Sequence, residues 1–375
     1  MIARIYNSKQ TILKFALEDI FKQFYNDFFI DDYDFIIFGI NSDYPYKDIN
    51  TSIKKILKTD KFVAFNAIDL FCNANTVEGI VALFIKFEKS GKIDTYYQEN
   101  FEDIESCYSY LSKHKDNVNF ILSTPSNKIP NFLEQLNKKV KNEDIFLFGG
   151  LSSGYLDRDE LVAYQYIDDK IIKDGFMIIS FQNMEFQKAI SLGYKPIGPI
   201  YDVNLSKDDR IYVSEYMDAS LIAKRLLNGM GDENIQNLWF SPIVILDDKD
   251  GEVDVVRTFK GFKEGEYVEF FGPVPNNSKI KLSFATEDML IENDKVEANK
   301  IKNDMNEIEL GFNFSCIARQ FALGKRKEEE TKIYSEIFNA PIFGFFTFGE
   351  IGMDKNFDIF KFYNQTSLIC GLKEK

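Results

Sequence analysis

Two charged residues stand in stretches that are otherwise apolar and glycine-rich: Arg319 in FNFSCIARQF and Glu350 in FFTFGEIG. A charge in such surroundings costs several kcal/mol per ion, roughly, unless it is paired. Two arrangements would pair them. They neutralise each other as a structural ion pair, or the guanidinium grips a ligand carboxylate while Glu350 takes the ligand's ammonium. One Arg plus one Glu is the minimal pair for a zwitterionic amino acid. Both arrangements assume that the two residues meet in the fold.

Cys316 lies three residues before Arg319. In an extended segment the two side chains face apart; in one helical turn they share a face. A neighbouring guanidinium would lower the thiol pKa and raise its reactivity. Against this stands the plain reading of a small buried hydrophobe, since free Cys is among the most buried residue types. The chain has one histidine, His114, in the polar stretch YLSKHKDN, read as a surface helix end. A Cys–His hydrolase therefore lacks its base, and multi-His metal sites are ruled out. Four scattered cysteines without a CxxC argue against a zinc site and a disulfide framework. No cofactor and no metal are expected.

Three further residues join the candidate set. Ser153 lies in LFGGLSSGYL, whose turn N–H groups could cradle a carboxylate. It is neither GxGxxG nor a Walker loop, so a nucleotide site is not indicated. Phe346 could line a pocket, although alternation alone usually means core. Asn364, with Gln365 and Thr366, is a neutral polar group entering the last strand, able to cap a turn or touch a ligand.

These residues need a frame. The 45 basic and 59 acidic residues give a formal charge of −14, a field that repels nucleic acid. The N-terminal MIARIYNSKQTILKF has no secretory signal pattern, and no run is long enough to insert in a membrane. A reducing, cytoplasmic setting is expected. Short apolar runs such as YDFIIFGI and VNFILST read as strands; helical spacing marks QTILKFALEDIFKQF and FEDIESCYSYLSKHKD. GIVALFIKFEKSGKIDTYYQEN and KIIKDGFMIISFQ read as hairpins, and FGFFTFGEIG as one glycine-kinked strand. The mixture implies an α+β fold of two halves, 1–195 and 196–375. Each would hold a mixed or antiparallel sheet with outer helices, the sheets able to stack. Gly193, Pro196, Gly198 and Pro199 read as a rigid connector.

In this order, LFGGLSSGYL with KDGFMIISFQ, then SLGYKPIGPIYDV, then FNFSCIARQFALG, APIFGFFTFGEIG and NQTSLICGL resemble the FIST family, built of FIST N-terminal and C-terminal domains. The likeness runs from about Phe62 onward. It implies a small-ligand-binding sensory module, with amino acids as the ligand class, that signals through a separate protein. Arg319, Glu350, Cys316, Asn364, Phe346 and Ser153 would contact the ligand where the halves meet. A protein-interaction scaffold and an enzyme using Cys316 are the competing readings.

Overall fold

The runs FIIFGIN (Phe35–Asn41), FVAFNA (Phe62–Ala67) and IVALFIK (Ile80–Lys86) are apolar on both faces. Such strands are stable only inside a covered sheet, and the three are neighbours in a six-stranded sheet with Ile2–Ser8, Gln165–Ile167 and Lys170–Ile172. The computed structural model describes residues 1–27, 33–57, 60–140, 143–157, 160–247, 251–354 and 358–375.

A second six-stranded sheet runs in the order Phe360–Tyr363, Glu350–Met353, Leu147–Leu151, Val118–Ser123, Phe176–Gln182, Lys92–Gln98. A third runs Met184–Ser191, Ser367–Glu374, Leu310–Cys316, Ile342–Thr347, Leu70–Cys72, Asn75–Val77. Each of the three contains one parallel pair; its partners are Phe35–Asn41 with Phe62–Ala67, Val118–Ser123 with Leu147–Leu151, and Leu310–Cys316 with Ile342–Thr347. Parallel pairing needs a crossover, and helices supply it. An eight-stranded antiparallel sheet occupies residues 195–284.

Helices α1 (Leu13–Asp27) and α2 (Ile49–Leu57) cover the first sheet, with Leu17, Ile20 and Phe24 packed in one cluster with Ile36, Phe38 and Phe84. Helices α3 (Ile104–Lys113) and α4 (Ile129–Lys139) bury Cys107, Leu111, Phe132 and Leu133 in the large core shared by the second sheet. Helix α5 (Ser220–Leu226) belongs to the eight-stranded sheet. Helices α6 (Glu287–Asp304), α7 (Ile317–Leu323) and α8 (Lys327–Phe338) lie with the third. The three six-stranded sheets meet on phenylalanines. Ring centroids of Phe120 and Phe312 are 4.2 Å apart, Phe65 and Phe345 4.6 Å, Phe148 and Phe314 5.3 Å. The fold is thus α+β with stacked mixed sheets. No described helix is long and apolar enough to cross a membrane.

Two expected hairpins and one expected single strand are replaced by crossings between sheets. Ile80–Lys86 and Lys92–Gln98 do not form a hairpin but belong to the first and second sheets. The turn between them is gripped by Glu374, whose carboxylate accepts the N–H groups of Glu88 (2.9 Å), Lys89 (3.0 Å) and Gly91 (2.7 Å). Lys170–Ile172 and Phe176–Gln182 are likewise split between sheets, because Gly175 is tied at both its N–H (3.0 Å) and its carbonyl (2.9 Å) to Thr124 of the second sheet. FGFFTFGEIG is two strands: Ile342–Thr347 in the third sheet and Glu350–Met353 in the second. Gly349 makes that crossing at φ +148°, and a Cβ there would lie 2.4 Å from Phe362. Among the other readings, His114 is less exposed than its sequence context suggests: it caps α3, and its Nε2 lies 3.1 Å from Asp94.

Segments distant in the chain share sheets. Leu70–Cys72 and Asn75–Val77 extend the third sheet, and Glu350–Met353 and Phe360–Tyr363 extend the second.

Candidate functional site

The strand Leu310–Cys316 ends where α7 begins, so Arg319 falls in the first helical turn. Its side chain is 0% exposed. Nε donates to Glu330 Oε2 (2.9 Å) and Nη2 to Asp294 Oδ1 (2.6 Å). The carbonyls of Leu192 and Leu290 accept from Nη1 and Nη2, each at 3.2 Å. Glu330 Oε1 accepts from Asn313 (3.1 Å) and Ser367 (2.7 Å), and Asp294 Oδ1 from Tyr334 (2.9 Å). One cation is thus enclosed by two carboxylates. Burial pushes Asp294 up to about 6, with Arg319 pulling it back and Glu330 adding to the rise. Arg319 is raised against the effect of burial by the same two carboxylates. Its donors are spent within the protein. Arg319 and Glu350 are not ion-paired with each other, so the juxtaposition assumed from the sequence is not made.

Glu350 opens the edge-ward strand of the second sheet and is also 0% exposed. Its Oε1 accepts from the Thr347 hydroxyl (2.5 Å), and its Oε2 from the Thr366 hydroxyl (2.5 Å) and N–H (3.4 Å). Burial pushes its carboxyl up to about 8, although these hydrogen bonds favour the ionised form. The side chain therefore exchanges its proton near neutrality.

Cys316 shares this corner. Its N–H is bonded to the Thr366 carbonyl (2.9 Å), and its residue is 3% exposed. Burial, and then the nearby Glu350 charge, push its thiol well above the usual cysteine value. Both effects favour the neutral thiol, and the Arg319 guanidinium that would activate it is engaged by Asp294 and Glu330.

Asn364 begins the turn into the last strand. Its Nδ2 donates to the Tyr363 carbonyl (3.0 Å), while its Oδ1 is buried without a hydrogen-bond partner. Ser315, beside Cys316, has a buried Oγ that is likewise unpartnered. Between Asn364 and Thr366, Gln365 sits at φ +59°. Its amide accepts from Tyr194 (2.6 Å) and donates to the Trp239 carbonyl (2.9 Å).

Ser153 and Phe346 are joined directly: the Ser153 hydroxyl donates to the Phe346 carbonyl (2.6 Å) and accepts the N–H of Ile68 (2.9 Å). The N–H groups of Leu151 and Ser152 go to the carbonyls of Gly349 (2.8 Å) and Ser123 (2.7 Å), so these two are not available to an anion. The Phe346 ring is buried edge-on to Phe71 at 4.7 Å. Cys316, Asn364 and Glu350 therefore gather at one corner. Arg319 belongs to a separate network, and Ser153 and Phe346 fasten the loops between sheets.

Sequence reasoning missed Asp294 and Glu330. Asp294 had a signal: it sits on the apolar stripe of α6 with Leu290, Ile291, Ala298 and Ile301, all buried. Glu330 was hidden inside the charged run KRKEEE. Asp69 was also missed. It is 4% exposed, accepts from Gln320 and lies 3.0 Å from Lys327, tying the first half to α7 and α8.

Comparison with known proteins finds two domain profiles on the chain. The FIST N domain profile matches residues 34–215, and the FIST C domain profile matches residues 219–353. A protein of Aquifex aeolicus (strain VF5), described as an uncharacterized protein, is 32% identical over 259 residues, covering 66% of this chain and 96% of its own. Both domains are present in the order that LFGGLSSGYL, FNFSCIARQFALG and APIFGFFTFGEIG led us to expect, and the chain belongs to the FIST family, whose domains serve sensory signal transduction.

Proposed function

We propose that this chain is a cytoplasmic receptor for a small molecule bearing an ammonium group, an amino acid being the first class to test, and that it reports occupancy to a separate protein. The observation carrying this reading is the corner at Glu350. A buried carboxyl pushed up to about 8 is held by Thr347 and Thr366 beside Cys316, and Asn364, two residues before Thr366 in the same turn, has a buried Oδ1 without a hydrogen-bond partner. An ammonium entering this corner would favour the ionised form of Glu350, whose proton would leave to solvent, and would find the Asn364 amide oxygen as a neutral acceptor. Arg319 serves as framework in this reading, because its donors are engaged. Clefts at the carboxyl ends of parallel strands are the usual ligand positions in such sheets.

Signalling would run through Gln365, which links this corner to the Asp232–Phe240 turn by way of the Trp239 carbonyl. Ligand shifts the balance between two arrangements of that turn only as far as it binds them unequally. Trp239 is the sole tryptophan, so its fluorescence reads the movement. Titration with the protein amino acids should change that signal for at least one of them, and Glu350→Gln should weaken the response at least tenfold, roughly the worth of one charge-assisted hydrogen bond. If no amino acid changes the fluorescence or the melting temperature, the receptor reading falls.

A specific observation favours the scaffold as the second reading. Phe240 and Phe321 are 48% and 49% exposed and pack about Trp239, an aromatic patch suited to a protein partner.

A further inference from the structure

Among the described residues two arginines are buried, and only one is neutralised. Arg319 has two carboxylates. Arg257, at the end of the Val253–Arg257 strand, is 5% exposed and has no carboxylate within ion-pair distance among the described residues. Its Nε donates to the Pro273 carbonyl (2.9 Å), and its Nη1 to the carbonyls of Val256 (3.0 Å) and Phe362 (3.1 Å). Nη2 makes no hydrogen bond among the described residues. Burial pushes the guanidinium down to about 10, with Asp254 and Tyr363 offsetting part of the fall. The nearby Asp254 carboxylate is taken up by the Lys361 ammonium.

The unpaired guanidinium lines an open cleft of about 210 Å³. The cleft lies where α4 meets the strands Val253–Arg257 and Phe360–Tyr363, so both halves of the chain form its walls. Its other lining is mostly apolar, including Leu133, Ile245, Phe362 and Pro275. The Asn137 amide is spent on Phe360, giving its Nδ2 to the carbonyl (2.9 Å) and taking the N–H (2.8 Å). Glu134, at the rim, is held by Lys138 at 2.7 Å.

We propose that this cleft is a binding site for a small carboxylate with an apolar body, its head group received by Arg257. A buried cation without a counter-ion costs several kcal/mol, roughly, and an incoming carboxylate would remove that cost. A charge-assisted hydrogen bond from Nη2 fixes the head, and the walls take the body. The cleft is smaller than pockets for drug-sized ligands, about 300–1,000 Å³, so the ligand is short. Phosphate suits it less, because the lining ammonium of Lys361 is held by Asp254, the Asn137 amide by Phe360, and the prolines and phenylalanines offer no donors to its remaining oxygens. The proposal does not depend on the corner at Glu350.

The test is calorimetric titration of the full chain with phenylacetate and hexanoate, alongside phenylacetamide and inorganic phosphate. The carboxylates should bind at least tenfold more tightly than either comparator. Arg257→Met should weaken phenylacetate at least tenfold. Glu134→Trp, which fills the cleft from the exposed face of α4 and leaves the guanidinium in place, should do the same, and it separates lost binding from any misfolding of the arginine variant. The proposal is overturned if phenylacetamide or phosphate binds as well as phenylacetate, if neither carboxylate binds, or if Glu134→Trp leaves the affinity unchanged.

Discussion

At the scale of single residues, the interior charges divide by how they are compensated. Arg319 is locked by Asp294 and Glu330, so removing the cation leaves two buried carboxylates facing each other. Arg319→Met should destabilise the fold by about 3–5 kcal/mol at pH 8. The deficit should shrink toward pH 5, where the stranded carboxylates take up protons. Chemical denaturation at the two pH values decides this; an equal deficit at both would contradict it. Glu350 behaves differently. Its folded value of about 8 lies above the usual 4.5, so the folded state binds the proton more tightly. Its contribution is therefore present at low pH, is lost as pH rises through that window and is level above about 8, at up to about 1.4 kcal/mol per pH unit. Glu350→Gln should flatten that part of the stability profile. Parallel wild-type and variant curves between pH 5 and 9 would refute the assignment.

At the scale of elements, the decisive events are the crossings between sheets. Gly349 carries the chain from the Ile342–Thr347 strand to the Glu350–Met353 strand in a conformation that suits glycine, with Phe362 where a Cβ would go. Gly349→Ala should cost about 2–4 kcal/mol from backbone strain and overpacking together. It should also displace Glu350, lowering the melting temperature and the Trp239 response together; a variant as stable as the parent would show that the crossing is relaxed. The Phe87–Gly91 turn is set by Glu374. Three backbone N–H groups outweigh its burial and hold its carboxyl down to about 2. Its stabilisation is present above the usual carboxylate range and declines as pH falls toward about 2. Glu374→Gln should therefore cost about 1–3 kcal/mol at pH 7 and little near pH 2, measured by urea denaturation.

At the scale of the whole molecule, the sheets shared by distant segments make those segments interdependent. A fragment of residues 1–195 would leave Leu70–Cys72 and Asn75–Val77 without their sheet and strip the second sheet of two strands. It should lack a cooperative melting transition and dispersed amide resonances; a well-dispersed spectrum from that fragment would defeat the expectation. Much of this architecture was legible. Runs such as FVAFNA and VNFILS read as strands and fold as covered ones, whereas Asp294, although it sits on the apolar stripe of α6, went unread as a buried partner. The sheet changes were not legible, because the turns at 87–91 and 173–175 are shaped by Glu374 and Thr124, far away in sequence.

The sequence alone determined the elements, the α+β class, the family and the fact that charges were carried into an apolar interior, since these follow from local periodicity, composition and motif. Which charge met which was decided by tertiary structure. Arg319 and Glu350 lie 31 positions apart by number, yet the chain turns into a helix after Cys316 and changes sheet at Gly349, sending the two side chains into different networks. Coulomb attraction acts through space, and in this protein space is set by crossings that no local pattern encodes.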